Sequence, residues 1–270
     1  MHLFTALVHS RSAAALLVAF GVTTAANAAP LIAVIPTPVS SHSVSGDVVS
    51  PGAVYSDVTN ASGYYYSADD ATSVGSVTYT GMMADDLTPI GGGTVSQVSV
   101  VIYNANGSTV TAGLELSFYD NTGDGGGSPG NLLSAFSVGS LSIPAGYTTQ
   151  PINFSGVGFV FPSTTTWAGL SFNNASNPST TADELNNLGQ GLDDPPDAGS
   201  SADEFYNGST DGAPYTSNSP PGTLEYFGGS PVANFGWEIV VSPEPASAIL
   251  TAAALLALAS HRTRSRRQNI

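Results

Sequence analysis

The chain has 270 residues, 41% of them hydrophobic and only 9% charged, with 20 acidic and 5 basic side chains, 30 Gly, 18 Pro and no Cys. A soluble domain typically carries about 25% charge, yet the ordinary apolar fraction excludes a charged disordered chain. The absence of Cys excludes a disulfide framework, a thiolate zinc site and a cysteine nucleophile, and the net charge of −15 excludes the basic patch that nucleic acid requires.

The N-terminus opens with a short segment carrying Arg11, runs through the apolar stretch Ala13 to Val22, and ends in Ala26-Asn27-Ala28. A weakly positive start, an apolar middle and an A-x-A end are the layout of a secretory signal peptide. Residues 1–28 are therefore predicted to be removed by signal peptidase after Ala28. Residues 29–52 hold Pro30, Pro36, Pro38 and Pro51 among Val and Ser, and read as an extended linker.

Residues 53–241 read as one all-β ectodomain. Thr109 to Asp120 alternates with period two. Val110, Ala112, Leu114, Leu116 and Phe118 fall on one face, and Thr111, Glu115, Ser117 and Tyr119 on the other, which predicts a half-buried strand. Further strands are expected at Ala53–Asp57, Ser76–Met82, Val95–Tyr103, Leu132–Val138, Gln150–Phe154, Thr165–Phe172, Leu224–Phe227 and Asn234–Val241. Gly, Pro, Asn and Asp separate most of them, so the predicted fold is an antiparallel, jelly-roll-like β-sandwich. Residues 173–222 are poor in large apolar side chains and predict a long acidic loop, with one helical turn near Ala182–Leu188.

Between two of these strands lies Asp120-Asn121-Thr122-Gly123-Asp124-Gly125, which spaces oxygen donors as part of a calcium loop does. Asp120 and Asp124 are the candidate metal ligands. Position 12 of such a loop would be Asn131 rather than a bidentate Glu, so a plain hairpin turn is the favoured reading and calcium the alternative. The adjacent pairs Asp69-Asp70 and Asp85-Asp86 are not expected to converge on one ligand, because strand neighbours point to opposite faces. Asp183, Glu184, Asp193, Asp194, Asp197, Asp203, Glu204 and Asp211 are expected to form a solvated surface on the long loop. Tyr64-Tyr65-Tyr66, Tyr206, Tyr215, Tyr226 and Phe227 are candidates for stacking on sugars, whereas Trp167 and Trp237 are expected in the core.

The C-terminus, residues 242–270, reads Ser242-Pro243-Glu244-Pro245, then an apolar run over 246–259, then Arg262, Arg264, Arg266 and Arg267. As a helix the run spans roughly 21 Å, short of a hydrocarbon core of about 30 Å, so it suits transient membrane contact. The basic cluster fits a cytoplasmic stop. Pro243-Glu244-Pro245, the apolar run and the Arg-rich tail together resemble the PEP-CTERM sorting signal of bacterial exported proteins. That resemblance implies cleavage near Pro243-Glu244-Pro245 by an exosortase-type protease and release to the envelope or extracellular space. It also implies company with exopolysaccharide. Met83-Ala84-Asp85-Asp86-Leu87, Phe118-Tyr119-Asp120 with Gly125-Gly126-Gly127 and Pro129 to Leu133, and Thr166-Trp167-Ala168-Gly169-Leu170 resemble recurring pieces of the ectodomains of that group. This second resemblance implies a β-sandwich and no catalytic residues.

Enzyme signatures are poor. From Ala29 to Ser242 there are 19 acidic residues, no Lys or Arg, and His42 as the sole histidine, in the linker. A Ser-His-Asp triad would depend on that residue, and neither HExxH nor three-histidine zinc is possible. The leading expectation is a non-enzymatic structural protein of the envelope or matrix. The alternatives are a carbohydrate-binding module, with or without calcium, and a hydrolase using a carboxylate pair.

Overall fold

The computed structural model describes residues 32–34, 49–59, 61–153, 158–193, 195–226, 228–229 and 234–242. The expected signal peptide over 1–28 with Ala26 and Ala28, most of the expected linker, Pro243, Glu244, Pro245, the run 246–259 and Arg262, Arg264, Arg266 and Arg267 lie outside the described residues. Among the described residues no helix is long and apolar enough to cross a membrane.

The elements in chain order begin with β1 (Ile32–Val34), β2 (Ala53–Ser56), β3 (Ala61–Ser67), β4 (Thr72–Val74), β5 (Val77–Tyr79) and β6 (Met82–Leu87). The long strands β7 (Gly93–Asn104), β8 (Val110–Asp120) and β9 (Leu132–Ile143) follow, then β10 (Gly146–Asn153), β11 (Val160–Phe161) and β12 (Thr166–Asn173). The helix α1 (Ala182–Asn186) precedes β13 (Leu188–Asp193), β14 (Phe205–Gly208), β15 (Gly222–Glu225) and β16 (Trp237–Val241). They form two sheets. One runs β1-β9-β8-β12-β6-β14-β15, with β5 also on β12 and β4 on β5. The other runs β2-β16-β7-β13-β3, with β10 and β11 also paired to β7. All pairs are antiparallel except β1 on β9.

The fold is thus all-β and sandwich-like, with its main apolar core fed by both sheets. Val98, Val100, Ile102, Trp237 and Ile239 meet Leu114, Leu116, Phe118, Ala168, Leu170 and Phe172. Phe118 seats edge to face on Trp237 at 6.3 Å and on Phe161 at 5.9 Å, as ring quadrupoles favour, and Tyr66 packs tilted against Phe205 at 4.6 Å. Trp167 and Trp237 are both fully buried, as expected.

Two expectations change. First, β8 is buried on both faces, not one. Tyr119, Met82, Ala84, Trp167, Tyr206 and Tyr215 form a second apolar cluster on the outer side of the larger sheet. The chain after β14 folds back over that side. The Tyr215 carbonyl accepts from Tyr119 Oη at 2.8 Å and Ser117 Oγ at 3.0 Å, and Tyr206 Oη donates to the Pro220 carbonyl at 2.6 Å. Second, 173–222 is not one loop: it contains α1, β13 and β14. The helix starts at Thr181, whose side chain accepts from the Glu184 N–H while Glu184 reaches back to the Thr181 N–H, a capping box. β13 adds Leu188 and Leu192 to the core, and β14 adds Phe205.

Candidate functional site

The adjacent acids of β6 meet after all. Asp85 packs toward the core and Asp86 away from it, but Ser201 sits at the strand's edge, where it can be reached from both faces. Backbone bonds between Thr88 and Ser200 hold the 198–202 segment there. Ser201 Oγ lies 2.8 Å from Asp85 Oδ1 and 3.1 Å from Asp86 Oδ1. The Phe235 N–H donates to Asp85 Oδ2 at 2.7 Å, and the Ala202 N–H to Asp86 Oδ1 at 2.9 Å. Burial, then the charge of Asp86, raises the Asp85 carboxyl well above its ordinary value. Burial pushes Asp86 up to about 6 against the hydrogen bonds that favour its charged form. One hydroxyl hydrogen cannot serve two carboxylates, so a retained proton relieves the pair. Both acids are buried and pin separate stretches of chain, which makes them structural fasteners.

Glu115 is a second buried acid, on the outer face of β8. Its Oε1 accepts from Ser137 Oγ at 3.1 Å and Asn173 Nδ2 at 2.9 Å, while Oε2 has no hydrogen-bond partner. Burial pushes its carboxyl up to about 8.

The calcium-like segment closes on itself. Asp120 Oδ1 accepts from the Asn131 N–H at 2.7 Å and Thr122 Oγ1 at 2.5 Å, and Oδ2 from Asn131 Nδ2 at 2.8 Å. Partial burial raises this carboxyl, but these bonds together outweigh it and leave it below its ordinary value. Asp124 takes a left-handed conformation and accepts from Ser128 Oγ at 3.3 Å. Asn121 Oδ1 receives Trp167 Nε1 at 2.8 Å and the Gly127 N–H at 3.0 Å, tying the turn to the outer cluster. Among the described residues no group of three or more His, Cys, Asp or Glu is placed to hold a metal.

The tyrosines divide differently from expectation. Tyr206 and Tyr215, candidates for sugar stacking, are buried in the outer cluster, because their hydroxyls tie down the returning chain. Tyr226 is exposed, and Phe227 lies outside the described residues. Tyr64 and Tyr65 are both exposed, at 58% and 39%. Tyr65 joins two residues that the sequence did not single out, Tyr103 and Tyr147. The Tyr65 and Tyr103 ring centres are 4.0 Å apart, and those of Tyr103 and Tyr147 are 4.5 Å apart.

This row crosses the outer face of the smaller sheet, from β3 over β13 to β7 and β10. Strands two places apart in a sheet are about 9.6 Å apart, so the β3 and β7 rings can touch only if β13 is bare between them. It presents Gly189 and Gly191 there. A Cβ on Gly189 would stand 3.0 Å from the Tyr65 ring and 2.3 Å from the Tyr66 carbonyl, and one on Gly191 would stand 2.6 Å from Val101. Asp193, which was expected on a solvated loop, ends the strand two residues past Gly191, beyond a register shift between Leu192 and Asp193. Asp193 is instead 1% exposed, and neither carboxylate oxygen has a hydrogen-bond partner. Burial, then the charge of Asp197, pushes its carboxyl up to about 7. Burial, then Tyr103 and Tyr65, then Asp193 push the Tyr147 phenol up to about 12. A Cβ on Gly191, two residues before Asp193, would stand 3.4 Å from the Tyr147 ring. Tyr103, half-buried, stands on the polar-alternating face of its strand, and a search for Tyr on that face would have found it. Nothing in the sequence alone marks Asp193 as buried.

No protein-family model, curated protein or solved structure matches the chain.

Proposed function

We propose that this chain is an exported bacterial protein of the envelope or extracellular matrix, with a jelly-roll-like ectodomain and a non-enzymatic role alongside exopolysaccharide. In this reading, signal peptidase removes 1–28 after Ala28. The 246–259 run holds the chain transiently in the inner membrane, and an exosortase-type protease cuts near Pro243-Glu244-Pro245. The observation that carries the proposal is the segregation of charge. All five Arg lie in the two terminal segments, and the 19 acids of 29–242 share that stretch with no Lys or Arg. A structural role is further supported by Asp85 and Asp86, whose carboxylates are occupied in fastening Ser201, Ala202 and Phe235.

Replacing Pro243, Glu244 and Pro245 together by Ala tests the processing step in cells. The expected result is accumulation of a larger, membrane-associated form in place of the released ectodomain. Release of both proteins in equal amount and at equal mass contradicts the proposal.

A further inference from the structure

We propose that the Tyr65–Tyr103–Tyr147 row, with Asp193 beside it, binds a polysaccharide that carries unacetylated amino sugars. The inference deepens the exopolysaccharide association above and rests on that reading. Cellular fractionation tests location and binding in vitro tests the site, so failure of one is distinguishable from failure of the other.

The row provides three tilted rings packed against one another on the side of the sheet turned away from the core, with Tyr65 exposed at its outer end. Sugar rings stack on such faces through their C–H groups, and an ammonium within about 6 Å of a ring centre is drawn to the π-cloud. The bareness of β13 at Gly189 and Gly191 is what brings the rings together. Charge selects among polysaccharides. The 29–242 stretch carries 0 basic and 19 acidic residues, so a polyanion is repelled and a cationic chain is drawn in. Asp193 supplies the local counterpart: a buried carboxylate with both oxygens unpartnered, two residues along β13 from Gly191, whose bare position abuts the Tyr147 ring at 3.4 Å. A buried charge without a partner is unfavourable. An ammonium seated over the Tyr147 ring offsets Asp193 across a path of low dielectric, where the attraction is far stronger than in water.

The probes are soluble glucosamine and N-acetylglucosamine hexamers, titrated calorimetrically into the full-length chain. The glucosamine hexamer is expected to bind about tenfold or more tightly than its acetylated counterpart. Tyr103→Ala and Asp193→Asn are each expected to weaken that binding about tenfold, while Tyr103→Phe, which keeps the ring, retains it. Asp211→Asn removes one exposed acid elsewhere and is expected to leave binding unaltered. A circular dichroism melt checks that each variant is folded. No binding of the glucosamine hexamer overturns the proposal. So does equal weakening by Asp211→Asn and Asp193→Asn, which marks diffuse attraction between an acidic protein and a polycation.

Discussion

Glu115 faces outward from a strand, yet only one of its oxygens is hydrogen-bonded. Its carboxyl holds a proton up to about pH 8 in the fold, whereas in the unfolded chain it releases it near pH 4.3, roughly the value of free Glu. Between those values the folded state binds a proton that the unfolded state has lost. The stabilisation is therefore complete below the unfolded pKa and disappears as pH rises through the folded one. Asp86 at about 6 and Asp193 at about 7 act with the same sign. The melting temperature is expected to fall from pH 5 to pH 9. Glu115→Gln should match the parent to within about 1 kcal/mol at pH 5 and exceed it by about 1–3 kcal/mol at pH 9, several degrees in a melt. An unchanged pH slope in the variant contradicts this assignment.

At the scale of elements, β13 carries the most consequence for its length. Leu188-Gly189-Gln190-Gly191-Leu192-Asp193 joins β3 to β7 and leaves one face empty for the tyrosine row. A Cβ at position 189 would meet the Tyr66 carbonyl at 2.3 Å, and backbone cannot swing aside. Gly189→Ala is expected to destabilise by about 1–3 kcal/mol, the usual range for overpacking, and to alter tyrosine fluorescence as Tyr65 and Tyr103 part. Retention of both stability and spectrum would contradict the packing described.

The same strand explains where sequence reasoning stopped. β8 was legible because five apolar residues alternate without interruption. β13 was hidden because its apolar residues are only Leu188 and Leu192, and its glycines read as loop. β6 was hidden in another way. Met82 to Leu87 is buried throughout, and the meeting of its two acids was not expected because Ser201, their common partner, lies 115 residues or more along the chain. Tyr206 and Tyr215 failed as surface candidates for a similar reason. Their burial depends on the chain returning over the larger sheet, a long-range event that no local pattern records. The capping box at Thr181 and Glu184 is local, and the helical turn was legible accordingly.

For the whole molecule, the composition becomes a physical constraint. The 29–242 stretch has no Lys or Arg, so no Lys or Arg salt bridge can form within it. Some of its acids are buried on hydroxyls and backbone N–H groups, as at Asp85 and Asp86, Asp193 is buried with both oxygens unpartnered, and the exposed ones repel one another in solvent. Cohesion rests on the aromatic core and the sheet ladders. On the function proposed above, the basic residues direct and stop passage through the membrane and are then removed.

The central claim is that the mature protein is the acidic domain without its two terminal segments. Intact-mass spectrometry of the protein recovered from the envelope and medium of its native cells tests this most directly. The account predicts a chain that begins at Ala29 and ends near Pro243-Glu244-Pro245, without the Arg-rich tail. Recovery of a chain retaining both Met1 and Ile270 would contradict it.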